Sequence, residues 1–367
     1  LSNMELVCVE DFERQAYSKL EKNALDYYKS GAGEQFTLGL NREAFNRLRM
    51  RPRVLRNVTQ VDPSCRILGQ QLGWPLGIAP TAMQKMAHSD GEIGNARAAG
   101  KAGSIFILST LSTTSLEDLA AGAPDTCKWF QLYIYKERSL TEKLVRGAER
   151  AGFKALVLTV DAPVFGHRRA DVRNKFSLPP HLRLANFQGD QANGVVTMGG
   201  SGINEYVASQ FDASITWQDI SWLKKLTRLP IIAKGILTAE DAVLAREFGC
   251  DGIIVSNHGA RQIDTVPASI EALPEVVKAV GNDLVVMLDG GIRQGNDIFK
   301  ALAVGAKAVF IGRPAVYALA YNGQSGVEQM LSVLRKDLEI TMALTGCQTL
   351  ADIQPAMVAH ESTYSKL

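Results

Sequence analysis

The sequence of 367 residues predicts a closed (β/α)8 barrel with an N-terminal helical cap and a long insertion after the fourth strand. Eight short apolar segments recur along the chain, each followed by a segment of helical composition, which is typical of a parallel sheet covered on both faces. No Gly-x-Gly-x-x-Gly motif follows any of them, which disfavours an open dinucleotide-binding sheet. The predicted strands are Leu76–Ala79, Ile105–Leu108, Trp129–Leu132, Ala155–Val160, Ile231–Ala233, Ile253–Val255, Leu284–Leu288 and Ala308–Ile311.

The first 75 residues are interpreted as a cap on the barrel and as part of the same domain. Helix-compatible residues run from Val9 to Asn23, and a further helical stretch around Asp26-Tyr27-Tyr28 stops at Gly31-Ala32-Gly33. The stretch from Asn41 to Met50 predicts another helix. Arg51 to Gln71 is expected to be irregular or paired in short strands.

The barrel itself is predicted over residues 76–345, followed by a tail over residues 346–367. Capping signals mark two of its helices, because Ser115 and Thr238 each stand three residues before a carboxylate, and Gly249 closes the second. Residues 161–230 separate the fourth and fifth strands, far more than an ordinary connection. Their proline- and glycine-rich part, about residues 176–214, predicts a mobile lid over the active-site mouth.

Bulk composition excludes several classes of function. Forty basic against 38 acidic residues give a net charge of +2, so neither nucleic acid nor a membrane surface is an expected partner. Five scattered cysteines predict free thiols in a reducing compartment, and no metal site is predicted. The final Ser365-Lys366-Leu367 matches the peroxisomal address read by an import receptor, which predicts a peroxisomal protein.

In a (β/α)8 barrel the chemistry collects at the carboxyl ends of the strands. Every predicted strand here ends in polar, small or charged residues. Any one of these could be a satisfied core hydroxyl or a turn former, but eight such ends together predict an active site. They are Pro80-Thr81-Ala82, Ser109, Gln131 with Tyr133, Thr159 with Asp161, Lys234, Ser256 with His258 and Arg261, Asp289-Gly290-Gly291 with Arg293, and Gly312-Arg313.

Three of these ends indicate specific chemistry. His258 is suited to take a proton near neutral pH, and Arg261 has a planar guanidinium that can bind a carboxylate through two hydrogen bonds. The alternative is that both are solvent-exposed loop residues without a catalytic role. After the seventh and eighth strands, three glycines and two arginines occupy the usual phosphate site of such barrels. The phosphate would belong either to the substrate or to a phosphate-bearing cofactor.

From about Leu6 to the C-terminus the chain resembles the FMN-dependent (S)-2-hydroxy-acid oxidases, and most of all the glycolate-oxidising members. The segments that carry the resemblance are Ile78-Ala79-Pro80-Thr81-Ala82-Met83-Gln84, Phe130-Gln131-Leu132-Tyr133, Thr159-Val160-Asp161, Ala233-Lys234-Gly235, Ser256-Asn257-His258-Gly259-Ala260-Arg261-Gln262 and Asp289-Gly290-Gly291.

The resemblance implies that FMN lies across the barrel mouth. It assigns the FMN phosphate to Gly290, Gly291, Arg293, Gly312 and Arg313, and the rest of the cofactor to Ala79, Pro80, Thr81, Ala82, Ser109, Gln131, Thr159, Lys234, Ser256 and Asp289. A cation such as Lys234 would stabilise the negative charge of the reduced ring. The alternative, a lysine held in a salt bridge, is judged less favourable at a strand end inside a barrel.

The resemblance also implies the substrate contacts. Arg261 and Arg168 would bind the carboxylate, with Arg169 left in solvent. Tyr27 and Tyr133 would hydrogen-bond the carboxylate or hydroxyl, and Asp161 would orient the ring of His258 and stabilise its imidazolium. Glycolate-oxidising members typically carry tryptophan where this chain has Leu111, so a larger α-substituent is expected here.

The predicted reaction is FMN-dependent oxidation of an (S)-2-hydroxy acid to the 2-oxo acid, with O2 reduced to H2O2. The alternatives are a lactate-type dehydrogenase that passes electrons to a non-oxygen acceptor, and a flavin-binding barrel without turnover. The resemblance further implies a homotetramer or homo-octamer.

Overall fold

The computed structural model describes residues 5–187, 195 and 200–364. Its central element is a closed barrel of eight parallel strands. Around the barrel each strand pairs with its neighbours in chain order, and the last pairs with the first. The fold predicted from the sequence is therefore confirmed. The barrel strands are β4 (Leu76–Ile78), β5 (Ile105–Leu108), β6 (Cys127–Leu132), β7 (Leu156–Thr159), β8 (Ile231–Ile236), β9 (Gly252–Val255), β10 (Val285–Asp289) and β11 (Val309–Ile311).

Alternate residues of the strands supply two separate apolar cores. In β5, Ile105 and Ile107 join the core inside the barrel, whereas Phe106 and Leu108 join the layer between the sheet and its helices. Trp129 fills the interior beside Phe310, with ring centroids 5.9 Å apart. Because both faces of each strand are buried, the strands read as continuous apolar runs rather than as alternating ones.

Thirteen α-helices occur in the described residues, and the predicted capping signals act as expected. The side chain of Ser115 accepts a hydrogen bond from Asp118 N at 3.0 Å, and Gly249 adopts a left-handed φ of +78°. The helices are α1 (Val9–Lys19), α2 (Lys22–Lys29), α3 (Phe36–Asn46), α4 (Gly91–Lys101), α5 (Leu116–Gly122), α6 (Arg138–Arg150), α7 (Arg169–Arg173), α8 (Gly202–Gln210), α9 (Gln218–Leu226), α10 (Ala239–Glu247), α11 (Ser269–Val280), α12 (Gly295–Val304) and α13 (Arg313–Thr345).

The N-terminal segment differs from its prediction at α3, which begins at Phe36 and not at Asn41. The carboxylate of Asp264 caps this helix from across the chain, accepting hydrogen bonds from the backbone N–H of Phe36 at 3.3 Å and of Thr37 at 2.9 Å. The predicted end of the helix is also wrong. Residues Leu48–Met50 form a strand, β1, that pairs antiparallel with β12 (Val358–His360) near the C-terminus.

Strands β2 (Cys65–Ile67) and β3 (Gln70–Leu72) form a short antiparallel pair, as expected for this stretch. Helix α1 packs on α13, where Phe12 meets Tyr321 edge-on with centroids 5.8 Å apart. The predicted domain boundaries are not tested by these contacts and stay predictions.

The insertion between β7 and β8 packs apolar side chains against two tyrosines at the barrel mouth. Phe176 stacks on Tyr27 with ring centroids 4.5 Å apart, and Phe211 stacks on Tyr133 at 4.3 Å. Residues 188–194 and 196–199 of the predicted lid lie outside the described residues, as does the Ser365-Lys366-Leu367 tail. Mobility of the lid stays a prediction.

Of the helices in the described parts of the chain, none combines the length and apolarity needed to span a bilayer. The five cysteines are free thiols. No cluster of histidine, cysteine or acidic side chains within the described ranges is arranged to hold a metal ion.

Candidate active site

A single cavity at the carboxyl ends of the barrel strands gathers the residues singled out in the sequence. All of them line this cavity except Asp161 and Ser256, which lie behind it. The lining residues are Tyr27, Ala79, Pro80, Thr81, Ala82, Ser109, Leu111, Gln131, Tyr133, Thr159, Arg168, Lys234, His258, Arg261, Asp289, Gly290, Gly291, Arg293, Gly312 and Arg313.

His258 and Asp161 form a directly bonded pair beside the cavity. Asp161 Oδ1 lies 2.9 Å from His258 Nδ1, and the two side chains are 14% and 18% exposed. Burial alone would raise the pKa of Asp161, but His258 and Lys234 outweigh it, so the pKa lies below the ordinary 3.8. An ionised carboxylate accepts the hydrogen bond, so Nδ1 carries the proton and Nε2 is the basic nitrogen.

His258 is neutral at physiological pH in this environment. Burial lowers the pKa of the imidazole below its ordinary 6.5, although the Asp161 carboxylate acts in the opposite direction. A neutral imidazole can accept a proton, which is the state a general base requires. Gly235 makes room for the pair, because a Cβ at this position would lie 2.6 Å from Asp161 Cβ.

Arg261 and Arg168 bring two guanidinium groups to the same side of the cavity as His258. Nη1 of Arg261 donates to the backbone oxygens of Tyr27 at 2.5 Å and Ser30 at 2.9 Å, which fixes the fork against the end of α2. Nε of Arg168 donates to the backbone oxygen of Arg261 at 3.2 Å. Burial, and then Arg261, lower the pKa of Arg168 to about 10, so the Arg168 guanidinium remains cationic at neutral pH.

Among the residues that the structure describes, neither guanidinium has a carboxylate within salt-bridge distance. Asp171 on α7 is also buried, with no hydrogen-bond partner for either carboxylate oxygen in the described chain. Burial raises the pKa of Asp171, against the effects of Arg261 and Arg168. Two guanidinium groups without a bonded carboxylate, one of them fully buried, constitute a site for a carboxylate ligand. Arg169, by contrast, lies on the surface and pairs with Glu34.

Two tyrosines complete this wall of the cavity. Arg261 lies over the ring of Tyr27, 4.7 Å from its centroid, and Tyr133 is 6% exposed. Burial raises the pKa of Tyr133 well above its ordinary value, so the phenol stays protonated and can donate a hydrogen bond. Phe165 also lines the cavity, with the guanidinium of Arg168 4.3 Å above its ring.

Polar side chains on β5, β6 and β7 form one connected network under the cavity. Gln131 Nε2 donates to Thr159 Oγ1 at 3.0 Å, and Gln131 Oε1 accepts from Ser109 Oγ at 3.4 Å. Ser109 Oγ accepts in turn from Leu111 N at 3.1 Å. The network fixes these side chains at the cavity and holds Leu111, which is 2% exposed, in the cavity wall.

Lys234 differs from its prediction in two respects. Strand β8 does not end there but continues to Ile236 past a register shift, and the ammonium is paired with a carboxylate. Its Nζ lies 3.3 Å from Asp289 Oδ2 and 3.1 Å from Ser256 Oγ, which donates to Asp289 Oδ1 at 2.5 Å. The salt bridge judged less favourable is therefore present, because burial of this cation requires a counter-charge. Lys234 still faces the cavity.

The opposite end of the cavity is suited to a phosphate. Gly290 and Gly291 have φ values of +99° and +89°, and a Cβ at Gly291 would meet the backbone oxygen of Asn41 at 2.0 Å. Arg293 keeps a buried Nε without a hydrogen-bond partner in the described chain. Burial lowers the pKa of Arg313 to about 10, and neither arginine pairs with a carboxylate of the described residues. Exposed backbone and two unneutralised cations fit an FMN phosphate.

Several residues at the site were not singled out in the sequence. Asn41 and Asn257 form a buried amide pair beside Gly290, and Asp171 and Phe165 surround Arg168. Phe165 and Asp171 are close to Arg168 along the chain, so their spacing was a usable signal. Asn41 carries no local signal, because it lies on a helix outside the barrel.

The fold and the polarity of this cavity place the chain among the (β/α)8-barrel enzymes that bind a phosphorylated cofactor.

A family model described as FMN-dependent dehydrogenase matches residues 16–360. The glycolate oxidase of Spinacia oleracea is 52% identical, over 97% of this chain and 96% of its own length. Glycolate oxidase 1 of Zea mays is 52% identical, over 98% and 97%. A crystal structure of mandelate oxidase with (S)-4-hydroxymandelic acid matches with a TM-score of 0.92 at 41% identity, over 95% of this chain and 98% of that one. The chain belongs to the FMN-dependent dehydrogenase family, and FMN is its cofactor.

Proposed function

We propose that this protein oxidises (S)-2-hydroxy acids to 2-oxo acids and transfers the two electrons to O2, producing H2O2. The observation that carries the proposal is the placement of a neutral His258, bonded to Asp161, beside two guanidinium groups that lack a bonded carboxylate. A base next to an anion site is what deprotonation of a hydroxy acid requires. The glycolate and mandelate oxidases similar to this chain support the same assignment.

In this proposal each residue has one task. Arg261 and Arg168 bind the substrate carboxylate, and Tyr27 and Tyr133 donate hydrogen bonds to the carboxylate or hydroxyl. Nε2 of His258 accepts the hydroxyl proton, and the Asp161 carboxylate stabilises the imidazolium that results.

The cofactor end of the cavity has its own set of residues. Gly290, Gly291, Arg293 and Arg313 hold the phosphate, together with Gly312. Lys234 would place its ammonium beside the flavin ring, and the network of Ser109, Gln131 and Thr159 would supply further hydrogen bonds. Bound FMN would supply the two-electron acceptor, and O2 would reoxidise it.

The test is turnover of purified, FMN-loaded protein with glycolate, L-lactate and 2-hydroxyoctanoate in air. One H2O2 per 2-oxo acid is expected. Turnover only with an artificial electron acceptor would identify a dehydrogenase instead. A bound flavin that none of the acids reduces under anaerobic conditions would overturn the proposal and leave a binding protein.

The α-substituent of the preferred substrate is proposed to be larger than hydrogen. Leu111 is buried and lines the cavity, and its side chain is smaller than the indole typical of glycolate-oxidising members. A difference of one methyl group in a pocket is worth about 1–3 kcal/mol, so preference rather than exclusivity follows. L-Lactate or a longer acid should be used at least as well as glycolate.

We also propose a peroxisomal location and a homotetrameric or homo-octameric assembly. The location rests on Ser365-Lys366-Leu367, and the assembly rests on the family resemblance. Fusing the terminal tripeptide to a fluorescent protein and imaging peroxisomes tests the first. Light scattering of the purified protein tests the second, and a monomer would contradict it.

A further inference from the structure

The catalytic histidine lies in a backbone turn that side chains with a Cβ seldom adopt. His258, Gly259 and Ala260 have φ values of +58°, +60° and +62°, so three consecutive residues are left-handed. Only the glycine adopts this region without steric cost. Something outside the turn must therefore hold it, because the position of the imidazole depends on the backbone of His258.

Asn257 closes the turn with its side chain. Its Oδ1 accepts a hydrogen bond from Ala260 N at 3.0 Å, and its Nδ2 donates to the backbone oxygen of Pro267 at 3.1 Å. These two contacts determine which end of the amide carries the oxygen. Asn257 is 4% exposed, so a lost bond would not be replaced by bulk water.

Asn41 on α3 forms a reciprocal pair with Asn257, which we call the amide pair. Asn41 Nδ2 donates to Asn257 Oδ1 at 2.9 Å, and Asn257 Nδ2 donates to Asn41 Oδ1 at 2.8 Å. Asn41 Oδ1 also accepts from the backbone N–H of Ser269 at 3.3 Å, at the start of α11. Every oxygen and nitrogen of the amide pair is thus bonded, and the network joins α3 to a turn and a helix start that lie more than 200 positions further along the chain.

Asn41 also lies against Gly290 and Gly291, the two glycines of the phosphate site, which we call the phosphate cradle. Its side-chain nitrogen and oxygen are each 3.6 Å from the position that a Cβ on Gly290 would occupy, and its backbone packs on Gly291. The amide pair therefore spans the distance between the FMN phosphate site and the turn that carries His258. Asn41 belongs to neither the barrel strands nor their loops, yet it contacts both the phosphate site and Asn257 at the start of the turn.

We propose that Asn41 is a positioning residue. It acts through Asn257 to hold the left-handed turn, and it thereby keeps the imidazole of His258 within hydrogen-bond distance of Asp161. The inference rests on the proposed function. Because a displacement of about 1 Å can lower a rate about 100-fold, loss of the amide pair should slow flavin reduction by about 10- to 100-fold while FMN remains bound.

The experiment compares Asn41→Ala and Asn41→Asp with Ser104→Ala as a matched control. Asn41→Asp keeps the volume and the acceptor contacts but loses the donor to Asn257 Oδ1, so it tests the pair if Asn41→Ala folds poorly. Ser104 accepts a buried hydrogen bond from Trp74 Nε1 at 2.7 Å, ahead of β5 at the opposite end of the barrel. Each protein is assayed for FMN content, melting temperature and anaerobic flavin reduction at saturating substrate.

A second readout does not depend on activity. In the flavin-free protein, the proton on His258 Nδ1 that bonds Asp161 should give a downfield NMR resonance, assigned by its absence in His258→Gln. We expect both Asn41 variants to lose or shift this resonance and to reduce flavin slowly, and Ser104→Ala to keep both properties despite a lower melting temperature.

The outcomes separate cleanly. An unchanged resonance with an unchanged reduction rate in the Asn41 variants overturns the inference, as does an equal loss in Ser104→Ala. Loss of FMN with an unchanged resonance also overturns it, because Asn41 would then serve only the phosphate cradle. If the wild-type protein does not oxidise hydroxy acids, the proposed function fails, whereas the resonance still tests the amide pair.

Discussion

Replacement of Asp161 by asparagine isolates the electrostatic part of the proposed mechanism. The substitution keeps the size of the side chain and an oxygen able to accept from His258 Nδ1, which lies 2.9 Å from Oδ1 in the native pair. It removes only the negative charge that stabilises the imidazolium. Opposite charges about 4 Å apart attract by about 4 kcal/mol at an effective dielectric constant of about 20. Since about 1.4 kcal/mol corresponds to a factor of ten, the upper limit is roughly three orders of magnitude.

We therefore expect flavin reduction in Asp161→Asn to slow by about 10²–10³-fold. FMN content and substrate binding should change little, because Asp161 lies behind the cavity. The pH profile should move as well. The carboxylate raises the pKa of His258 against the lowering effect of burial, so its loss lowers that pKa further. Activity requires the neutral imidazole, so the acidic limb of kcat/KM should shift to lower pH.

The assay is anaerobic stopped-flow reduction across pH, with Asp251→Asn as the control. Asp251 pairs with Lys224 at 3.0 Å and precedes β9, at the amino end of the barrel. That variant should lose stability without a change in reduction rate or pH profile. A near wild-type rate in Asp161→Asn, or an acidic limb displaced to higher pH, would refute the electrostatic role.

Four further substitutions test the remaining assignments. His258→Gln should retain FMN but reduce it about 10²–10⁴-fold more slowly, and an unchanged rate would remove His258 as the base. Arg261→Lys should lower kcat/KM about 10- to 100-fold, because one ammonium cannot replace a fork that binds a carboxylate and two backbone oxygens. Equally fast oxidation of alcohols lacking the carboxylate would contradict this. Arg313→Ala should lose FMN on dialysis, and retention of the full flavin absorbance would place the phosphate elsewhere. Leu111→Trp should shift kcat/KM toward glycolate and away from L-lactate by about 10- to 200-fold, and a wild type that strongly prefers glycolate with no shift in the variant would exclude Leu111 as the determinant.

The features readable from the sequence are those encoded by neighbouring residues. Each barrel strand was visible as an apolar run, since strands buried on both faces need no polar alternation. The caps at Ser115 and Gly249 were visible because a capping residue and the backbone it satisfies lie within a few positions. The polar strand ends then identified the cavity, because parallel strands in a closed barrel all end at the same mouth.

What only the tertiary structure decided involves partners that are distant along the chain. Helix α3 begins at Phe36 because Asp264, 228 positions away, caps it. The ion pair of Lys234 with Asp289 joins two strands that are not neighbours in the barrel. Asn41 meets Asn257 across 216 positions. No local pattern encodes such contacts, because the partners meet only when the barrel closes and the N-terminal segment folds back over its mouth. The sequence therefore determined the barrel and the residues at its mouth, and the tertiary structure determined how those residues are held.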